Sequence, residues 1–161
     1  MRLAKLFYQK ILKKPVPYYA NYSLLTIIWK PLRKYLNVVI IPNIPFNNIR
    51  IQLYKLIGFN IGENVFIGMK CYLDDIDPKQ TIIENNVVIS YGCYFACHGK
   101  GQEHTVIHIK ENAYIGMRCN FISGKKGLLI GKNTIIGAGS LVNKNIPNDK
   151  LALGVPIKIV R

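Results

Sequence analysis

The amino-acid sequence predicts an all-β solenoid, a parallel β-helix of about four coils that begins near residue 61. One observation is a six-residue repeat in which an apolar residue opens each unit, three units making one coil. Another is a small residue at one fixed position of every coil. Stacked coils surround a narrow interior, so both columns are expected to point inward in register. The apolar column reads Ile61, Ile67, Leu73, Ile83, Ile89, Phe95, Ile109, Ile115, Phe121, Ile130, Ile136 and Val142, and the small column reads Cys71, Cys93, Cys119 and Ser140.

The cysteines fit this interior better than a metal site. Cys71, Cys93 and Cys119 occupy the small column, where a free thiol packs as a compact apolar residue. Cys97 lies outside the column. The spacing C-x-x-C, which brings thiolates together on a metal, is absent from the sequence, and we expect no metal site.

Composition and charge divide the chain into two parts. Its 161 residues are 50% hydrophobic, which indicates one folded domain rather than a disordered chain. Residues 1–62 contain ten Lys and Arg and no acid, whereas the whole chain has 22 basic and 8 acidic residues. We therefore expect a basic, partly helical segment over residues 1–57 and the β-helix over 58–161. The basic segment favours an anionic partner, and a merely solvated basic surface is the alternative.

The beginning of the chain has the pattern of an amphipathic helix. Apolar residues between positions 3 and 12 fall on one helical face and most of the basic residues on the other. Such a helix lies in a membrane interface or packs on the protein body, and the pattern leaves both open. The apolar, aromatic segment 18–41 is expected to be interrupted at Pro31. No signal peptide or membrane span is expected, because charges and prolines interrupt every apolar run.

A second helix is expected just before the β-helix. Asn47 or Asn48 is a suitable N-cap for a helix through residues 49–57. Gly58 would end that helix and lead the chain into the first coil.

His98 is the candidate catalytic base. It ends the third unit of the second coil, and residues 99–108 then interrupt the repeat as an expected external loop. Histidine is suited to proton abstraction at neutral pH. Counting one coil back along the repeat places Asp75 and Asp77 below His98, and a carboxylate there would orient the imidazole. A solvated loop histidine is the alternative reading.

The C-terminal segment is suited to an extended anionic ligand. Gly137, Ala138 and Gly139 leave little side-chain bulk on the outer wall. Three cations follow that would meet phosphate groups, namely Lys144, Lys158 and Arg161.

Residues 58–161 resemble the left-handed β-helix acyltransferases of the hexapeptide-repeat family. Within that family they are similar to galactoside, maltose and surface-polysaccharide O-acetyltransferases. The most specific match is the tail Ile-Ile-Gly-Ala-Gly-Ser, Asn-Lys-Asn-Ile-Pro and Gly-Val-Pro-Ile-Lys-Ile-Val-Arg, which ends at Arg161. The left-handed winding is implied by this resemblance and not by the repeat pattern.

The resemblance also implies roles for individual residues. His98 matches the catalytic base, although Cys97-His98-Gly99 stands where relatives often have Thr-His-Asp. Of the carboxylates that the repeat places one coil below it, Asp75 is taken as the partner of the base. Residues implied to contact the acceptor are Lys70 and Asp74. Residues implied to contact acetyl-CoA are Gly116, Met117, Ala138, Gly139, Asn143, Lys144, Lys158 and Arg161.

The activity implied is acetyl transfer from acetyl-CoA to a sugar hydroxyl, without a covalent enzyme intermediate. The acceptor would belong to a surface polysaccharide or its lipid-linked precursor. The resemblance further implies a homotrimer with CoA bound between subunits. We expect a cytoplasmic protein, peripheral on the inner membrane face if residues 1–40 contact the membrane.

Two other functions stay open at this point. One is a zinc enzyme resembling the γ-class carbonic anhydrases, suggested by His98, His104 and His108. Those three histidines lie within eleven residues, which is unlike that class. The other is a non-enzymatic basic module that binds a membrane. No nucleic-acid partner is expected, because no nucleic-acid-binding motif is present.

Overall fold

The structure is a computed structural model that describes residues 24–98 and 104–161. The chain divides into two compact units, residues 1–35 and residues 36–161. In the first unit, helix α1 spans Leu24–Tyr35 and continues through Pro31. The expected interruption at Pro31 was therefore wrong. The amphipathic segment 3–12 lies outside the described residues.

The second unit contains the β-helix and the short helices that precede it. A π-helical turn spans Leu36–Ile40, a 3-10 turn spans Ile41–Asn43, and helix α2 spans Asn47–Leu56. A further 3-10 turn spans Pro78–Gln80. The strands are β1 Asn60–Ile61, β2 Phe66–Ile67, β3 Thr81–Ile83, β4 Val88–Ile89, β5 Tyr94–Ala96, β6 Ile107–Ile109, β7 Tyr114–Ile115, β8 Asn120–Ile122, β9 Leu128–Ile130, β10 Ile135–Ile136, β11 Leu141–Val142, β12 Leu151–Leu153 and β13 Lys158–Ile159.

These strands form three sheets that run along the solenoid. The first sheet has the order β1-β3-β6-β9, the second β13-β12-β10-β7-β4-β2, and the third β11-β8-β5. All pairings are parallel except that of β12 with β13, which folds the end of the chain back on the last coil. The predicted solenoid of about four coils is confirmed, and the expected apolar column is in register. Ile61 pairs with Ile83, Ile83 with Ile109, and Ile109 with Ile130.

The small column is also where the sequence placed it. Cys71, Cys93, Cys119 and Ser140 are all buried, with at most 1% of each residue exposed. Each thiol lies 3.2 Å from a backbone carbonyl oxygen of the next coil. The inward slots thus accept small side chains that bond weakly to the neighbouring coil.

Helix α2 covers the open start of the solenoid. Arg50 is buried and donates from Nε and Nη2 to the carbonyl of Ile67, at 3.0 and 2.6 Å. The expected asparagine cap was wrong, since Phe46 holds the N-cap position. Asn47 instead bonds to the first coil, accepting from Ile67 N–H and donating to Val65 O. Gly58 ends the helix region as expected, with φ at +111°.

Two corners of the solenoid have a residue in the left-handed conformation in every coil. The first corner joins the first and second sheets, and its left-handed residues are Asn64, Asn86, Asn112, Asn133 and Asp149. Side-chain hydrogen bonds of 2.7 to 3.0 Å join the first two of these residues with each other and the last three in sequence. The second corner joins the second and third sheets, and its left-handed residues are Lys70, Gly92, Arg118 and Gly139. Asn and Asp tolerate this conformation, and Gly adopts it at no steric cost.

Among the helices of the described part of the chain, none combines the length and the apolar character that a membrane crossing requires.

Candidate active site

His98 lies at the end of the third sheet, directly after β5 and Cys97. Side chains alternate along this strand, so Phe95 points into the core and stacks on Phe121 with ring centroids 4.6 Å apart. Cys97 is buried as well. His98 faces outward, and 40% of its side chain is exposed. The stacked core below therefore fixes the strand that carries an accessible imidazole.

The partner of the imidazole is Asp74, whose side chain is completely buried. Asp74 Oδ2 bonds to His98 Nδ1 and also accepts from Cys97 N–H at 2.7 Å. Its other oxygen accepts from Ile76 N–H at 3.1 Å. The expectation that Asp74 contacts the acceptor is thus replaced, because a buried carboxylate with these three partners acts through His98.

Asp75 was expected to orient the base, and the structure corrects this assignment. Its carboxylate accepts from Tyr72 O–H at 2.9 Å instead. Burial and this hydrogen bond raise the pKa of Tyr72. Asp77 caps the turn at Pro78–Gln80 through Lys79 N–H.

Counting one coil back along the repeat from His98 did not select Asp74, because regular strand pairing between the first two coils stops before this corner. Tyr72 pairs with Tyr94 only as an isolated bridge. Beyond the bridge, the Asp74 side chain turns back to Ile76 N–H and comes to lie beneath Cys97 and His98.

This pair can act as a general base. A buried carboxylate that accepts from Nδ1 fixes the proton on that nitrogen and leaves Nε2 as the acceptor. Among the described residues, none is hydrogen-bonded to Nε2. The His104 ring lies nearby, with its centroid 5.6 Å from that of His98 and tilted by 55°. Asp74 would also stabilise the imidazolium that forms when Nε2 takes a proton.

Cys97 is next to the base but is not suited to be a nucleophile. Burial raises the pKa of its thiol to about 11, although a hydrogen bond with Thr81 acts downward. Its sulfur lies 3.5 Å from Thr81 Oγ1, inside the coil. A thiol in this state supplies little thiolate at neutral pH.

The three histidines do not converge on one metal. His108 lies on β6 in the first sheet, so the loop predicted over 99–108 ends before Ile107. His108 Nε2 is 2.7 Å from Glu84 Oε1. Over residues 24–98 and 104–161, no three His, Cys, Asp or Glu side chains are grouped as a metal site.

The residues implied to meet the acyl thioester lie at the second corner. Gly116 donates its N–H to Ile136 O at 2.8 Å, and a Cβ there would come within 2.5 Å of Ala138 N. Gly116 is therefore required for the close approach of two coils. Met117, Ala138 and Gly139 are exposed. The N–H groups of Met117 and Ala138 are hydrogen-bonded to none of the described residues, so they can donate to a ligand.

The remaining donor-site candidates lie on the last coil. Asn143 and Lys144 are exposed directly after β11, and Lys158 is exposed on β13. The main chain of Arg161 is held by Leu151, whose N–H donates to Arg161 O at 2.9 Å. Its side chain is exposed. The side chains of Lys144, Lys158 and Arg161 carry positive charge without an acidic partner among the described residues.

Lys70 belongs to the second corner of the first coil, and not to the surroundings of His98. Its side chain is exposed, and its ammonium bonds to Asn43 Oδ1. Its N–H donates to Pro42 O at 2.8 Å.

Within one chain His98 lies at a different corner from Met117, Ala138 and Gly139, the candidates for the acyl thioester. The second corner contains Gly92 and Arg118, which are joined through Arg118 N–H and Tyr91 O at 2.9 Å. His98 follows Gly92 by six residues, an extended distance of roughly 20 Å. One protomer therefore does not bring His98 to Met117 or Ala138.

Comparisons with known proteins agree with this fold. No protein-family model matches the chain. It is 36% identical over 114 residues to a protein named as an acetyltransferase from Staphylococcus aureus strain COL, covering 65% of this chain and 56% of the relative. It is 32% identical over 117 residues to galactoside O-acetyltransferase of Escherichia coli K12, covering 64% of this chain and 56% of that protein. The chain thus spans little more than half the length of these relatives.

A similar solved structure is a hexapeptide-repeat acetyltransferase of Vibrio cholerae complexed with acetyl-CoA. The two chains are 19% identical, with a TM-score of 0.67 and 95% of each covered. Over about two thirds of its length this chain is therefore homologous to proteins named as acetyltransferases, and its β-helix is the fold of the hexapeptide-repeat acetyltransferases.

Proposed function

We propose that the protein is an O-acetyltransferase that moves an acetyl group from acetyl-CoA to a sugar hydroxyl. The observation that carries this proposal is the accessible His98 imidazole on the buried Asp74 carboxylate. The relatives named as acetyltransferases, galactoside O-acetyltransferase among them, support the reaction class.

His98 performs the proton transfers. Nε2 removes the proton of the acceptor hydroxyl while its oxygen attacks the thioester carbonyl carbon, and Asp74 stabilises the resulting imidazolium. The C–S bond then breaks, and the imidazolium returns its proton to the leaving CoA sulfur. The product is an acetyl ester, and the base is restored. Since Cys97 is buried and protonated, no acyl-enzyme is needed.

The second corner supplies the donor half of the site. The N–H groups of Met117 and Ala138, which bond to none of the described residues, are suited to stabilise the oxyanion of the tetrahedral intermediate. Ala138 and Gly139 leave space for a pantetheine arm. Asn143, Lys144, Lys158 and Arg161 would meet the nucleotide end.

The two halves of the site belong to different subunits in this proposal. Because His98 is roughly 20 Å of extended chain from the second corner of its own protomer, a neighbouring copy has to present Met117 and Ala138 to it. A homotrimer with the donor between subunits satisfies this requirement three times.

The acceptor is assigned to a surface polysaccharide or its lipid-linked precursor, and the enzyme to the cytoplasmic face of the membrane. The ten cations and no acids of residues 1–62 support contact with an anionic surface. Replacing Lys5, Lys10, Lys13 and Lys14 together by Gln should reduce sedimentation with vesicles containing anionic phospholipid. Equal sedimentation of the two proteins would contradict the membrane contact.

The activity is tested by the release of free thiol from acetyl-CoA in the presence of candidate sugars. Wild-type protein should release thiol with at least one sugar, nucleotide-linked sugar or lipid-linked glycan, and His98→Asn should not. Absence of release with every acceptor class, or equal release by the variant, would contradict the function.

A mixing experiment tests the shared site. His98→Asn lacks the base, and Ala138→Trp blocks the donor corner, so each variant alone should be inactive. If the site is shared, subunit exchange between them should restore activity, since some interfaces then combine an intact His98 with an intact Ala138. No recovery after verified exchange would contradict a site built by two subunits.

A further inference from the structure

The outer face of the third sheet carries an apolar groove on the same side as His98. Side chains alternate along β5 and the two residues after it, so that Phe95 and Cys97 are buried while Tyr94, Ala96 and His98 face outward. The groove has a volume of about 360 Å³. The side chains that face it belong to Tyr94, Ala96, Asn120, Ile122, Leu141 and Val155.

One end of the groove is formed by the ring of Tyr94. This ring stacks on that of Tyr72 in the preceding coil, with centroids 4.9 Å apart and planes at 28°. Tyr72 is itself held by its O–H, which donates to Asp75 at 2.9 Å. One face of the Tyr94 ring is thereby covered, and the other is turned toward the next coil, where the groove lies. Tyr94 remains 52% exposed.

The column of aromatic rings stops one coil further on. Tyr94 pairs in register with Asn120, and Asn120 with Leu141. Asn120 is exposed, and its side-chain amide is hydrogen-bonded to none of the described residues. The backbones of Tyr94 and Leu141 are two coils apart, about 10 Å. This leaves room for one further ring at the spacing of the two tyrosines, with a free amide at its edge.

We propose that Tyr94 and Asn120 form a subsite for a sugar ring of the acceptor, and this inference rests on the proposed acetyl transfer. The face of a pyranose that carries C–H groups is apolar and packs on the face of an aromatic ring. Its hydroxyls lie at the edge of the ring, where an amide can both donate to them and accept from them. An apolar, aromatic lining with few polar groups is typical of sites for small ligands.

The subsite binds the neighbour of the sugar that is acetylated. Tyr94 precedes His98 by four residues, about 13 Å along an extended strand. That separation is longer than a single pyranose ring, so the ring stacked on Tyr94 is not the one whose hydroxyl meets Nε2. The substrate class is therefore a glycan of two or more linked sugars, and not a free monosaccharide.

The first test is binding of lactose, maltose and cellobiose, followed by the backbone amide resonance of Ala96. Wild-type protein should show a saturable shift with at least one of these disaccharides. Tyr94→Ala and Asn120→Ala should each weaken that binding by about fivefold, whereas Tyr94→Phe, which keeps the ring, should not. The matched control is Tyr114→Ala, since Tyr114 is 48% exposed but lies on the second sheet.

The titrations can contradict the subsite in two ways. No saturable shift with any disaccharide, or equal affinities in wild type, Tyr94→Ala and Tyr114→Ala, would overturn the subsite itself. Glucose should bind more weakly than the disaccharide, and equal affinities for the two sugars would overturn the assignment to a linked glycan.

The second test asks whether the groove holds the donor or a second copy of the chain instead. CoA affinity and the mass measured by sedimentation should be equal in wild type, Tyr94→Ala and Asn120→Ala. Loss of CoA affinity would assign the groove to the donor, a lower mass would assign it to an interface between copies, and either result would overturn the proposal. Disaccharide binding needs no turnover, so the subsite can hold if no sugar is acetylated, and acetyl transfer can hold if the titrations fail.

Discussion

Two histidine–carboxylate pairs on different faces of the β-helix share their chemistry and differ in their surroundings. In the His98–Asp74 pair the carboxylate is fully buried and accepts two backbone N–H groups besides the imidazole. In the His108–Glu84 pair the side chains are 30% and 33% exposed. In the first pair only the imidazole reaches solvent and its carboxylate is shielded and fixed, whereas both side chains of the second pair are partly exposed.

The exposed pair belongs to a chain of contacts across three coils. Glu84 also accepts from Glu111 N–H at 3.0 Å, and Glu111 pairs with Lys132 at 3.3 Å. Burial acts to raise the pKa of Glu84, but the hydrogen bonds from Glu111 N–H and His108 lower it overall. Burial of the carboxylate, rather than the presence of a His–acid pair, is therefore what distinguishes a positioned base from a surface contact.

The largest expected difference between the pairs is in turnover. His98→Asn removes the base while keeping a side-chain amide near Asp74, and kcat should fall by about a hundredfold or more. His108→Asn should leave kcat within about twofold of wild type, because its side chain is on another face. Thiol release measures kcat, and calorimetry with CoA should give equal affinities for all three proteins. A His98→Asn enzyme with a tenth of wild-type turnover would remove His98 from the role of base.

Removing the charge of each carboxylate sharpens the comparison. Asp74→Asn replaces one acceptor oxygen by an amide group, so either Cys97 N–H and His98 Nδ1 both lose their acceptor or Ile76 N–H loses its own. The carboxylate charge that fixes the tautomer of the imidazole is lost in both cases. We expect kcat to fall about tenfold or more, with a changed pH–rate profile and unchanged CoA affinity. Glu84→Gln should retain wild-type kcat and pH profile. If Asp74→Asn lowers kcat equally at every pH and leaves the shape of the pH–rate profile unchanged, Asp74 has a structural role alone.

The sequence was sufficient for the β-helix because its signal is repeated in every coil. An apolar residue that opens each unit and a small residue at one inward position are properties of the chain itself, and both columns are found in register. His98 was found because the repeat breaks directly after it. The caps at the start of the solenoid have no such repetition, and Asn47 was accordingly assigned the wrong bond.

The orienting carboxylate could not be read from spacing alone. The repeat predicts which residues of neighbouring coils stack on each other. The Asp74 side chain instead reaches across the corner, where regular strand pairing has ended.

Substitution of Asp75, the neighbour of Asp74, should have a smaller effect on kcat than substitution of Asp74. Asp75 accepts from Tyr72 O–H and is not bonded to the imidazole. Asp75→Asn and Tyr72→Phe should therefore each keep kcat within about threefold of wild type, the range of an ordinary hydrogen bond next to a site. The matched measurement is Asp74→Asn under the same conditions. Equal losses in Asp75→Asn and Asp74→Asn would restore Asp75 as a candidate partner of the base.

The smallest expected effect is the contribution of Glu84 to stability. Its pKa is lower in the folded protein than the ordinary value of 4.5, so its contribution is present above that value and is lost as the pH falls through the folded-state pKa. Because the pair is solvated, Glu84→Gln should lower the free energy of unfolding at pH 7 by only about 0.5 kcal/mol. Urea denaturation should show that gap at pH 7 and a progressively smaller one as the pH falls below 4.5, and added salt should reduce it. A gap that does not shrink as the pH falls would mean that the substitution disturbs packing and that the charge contributes nothing.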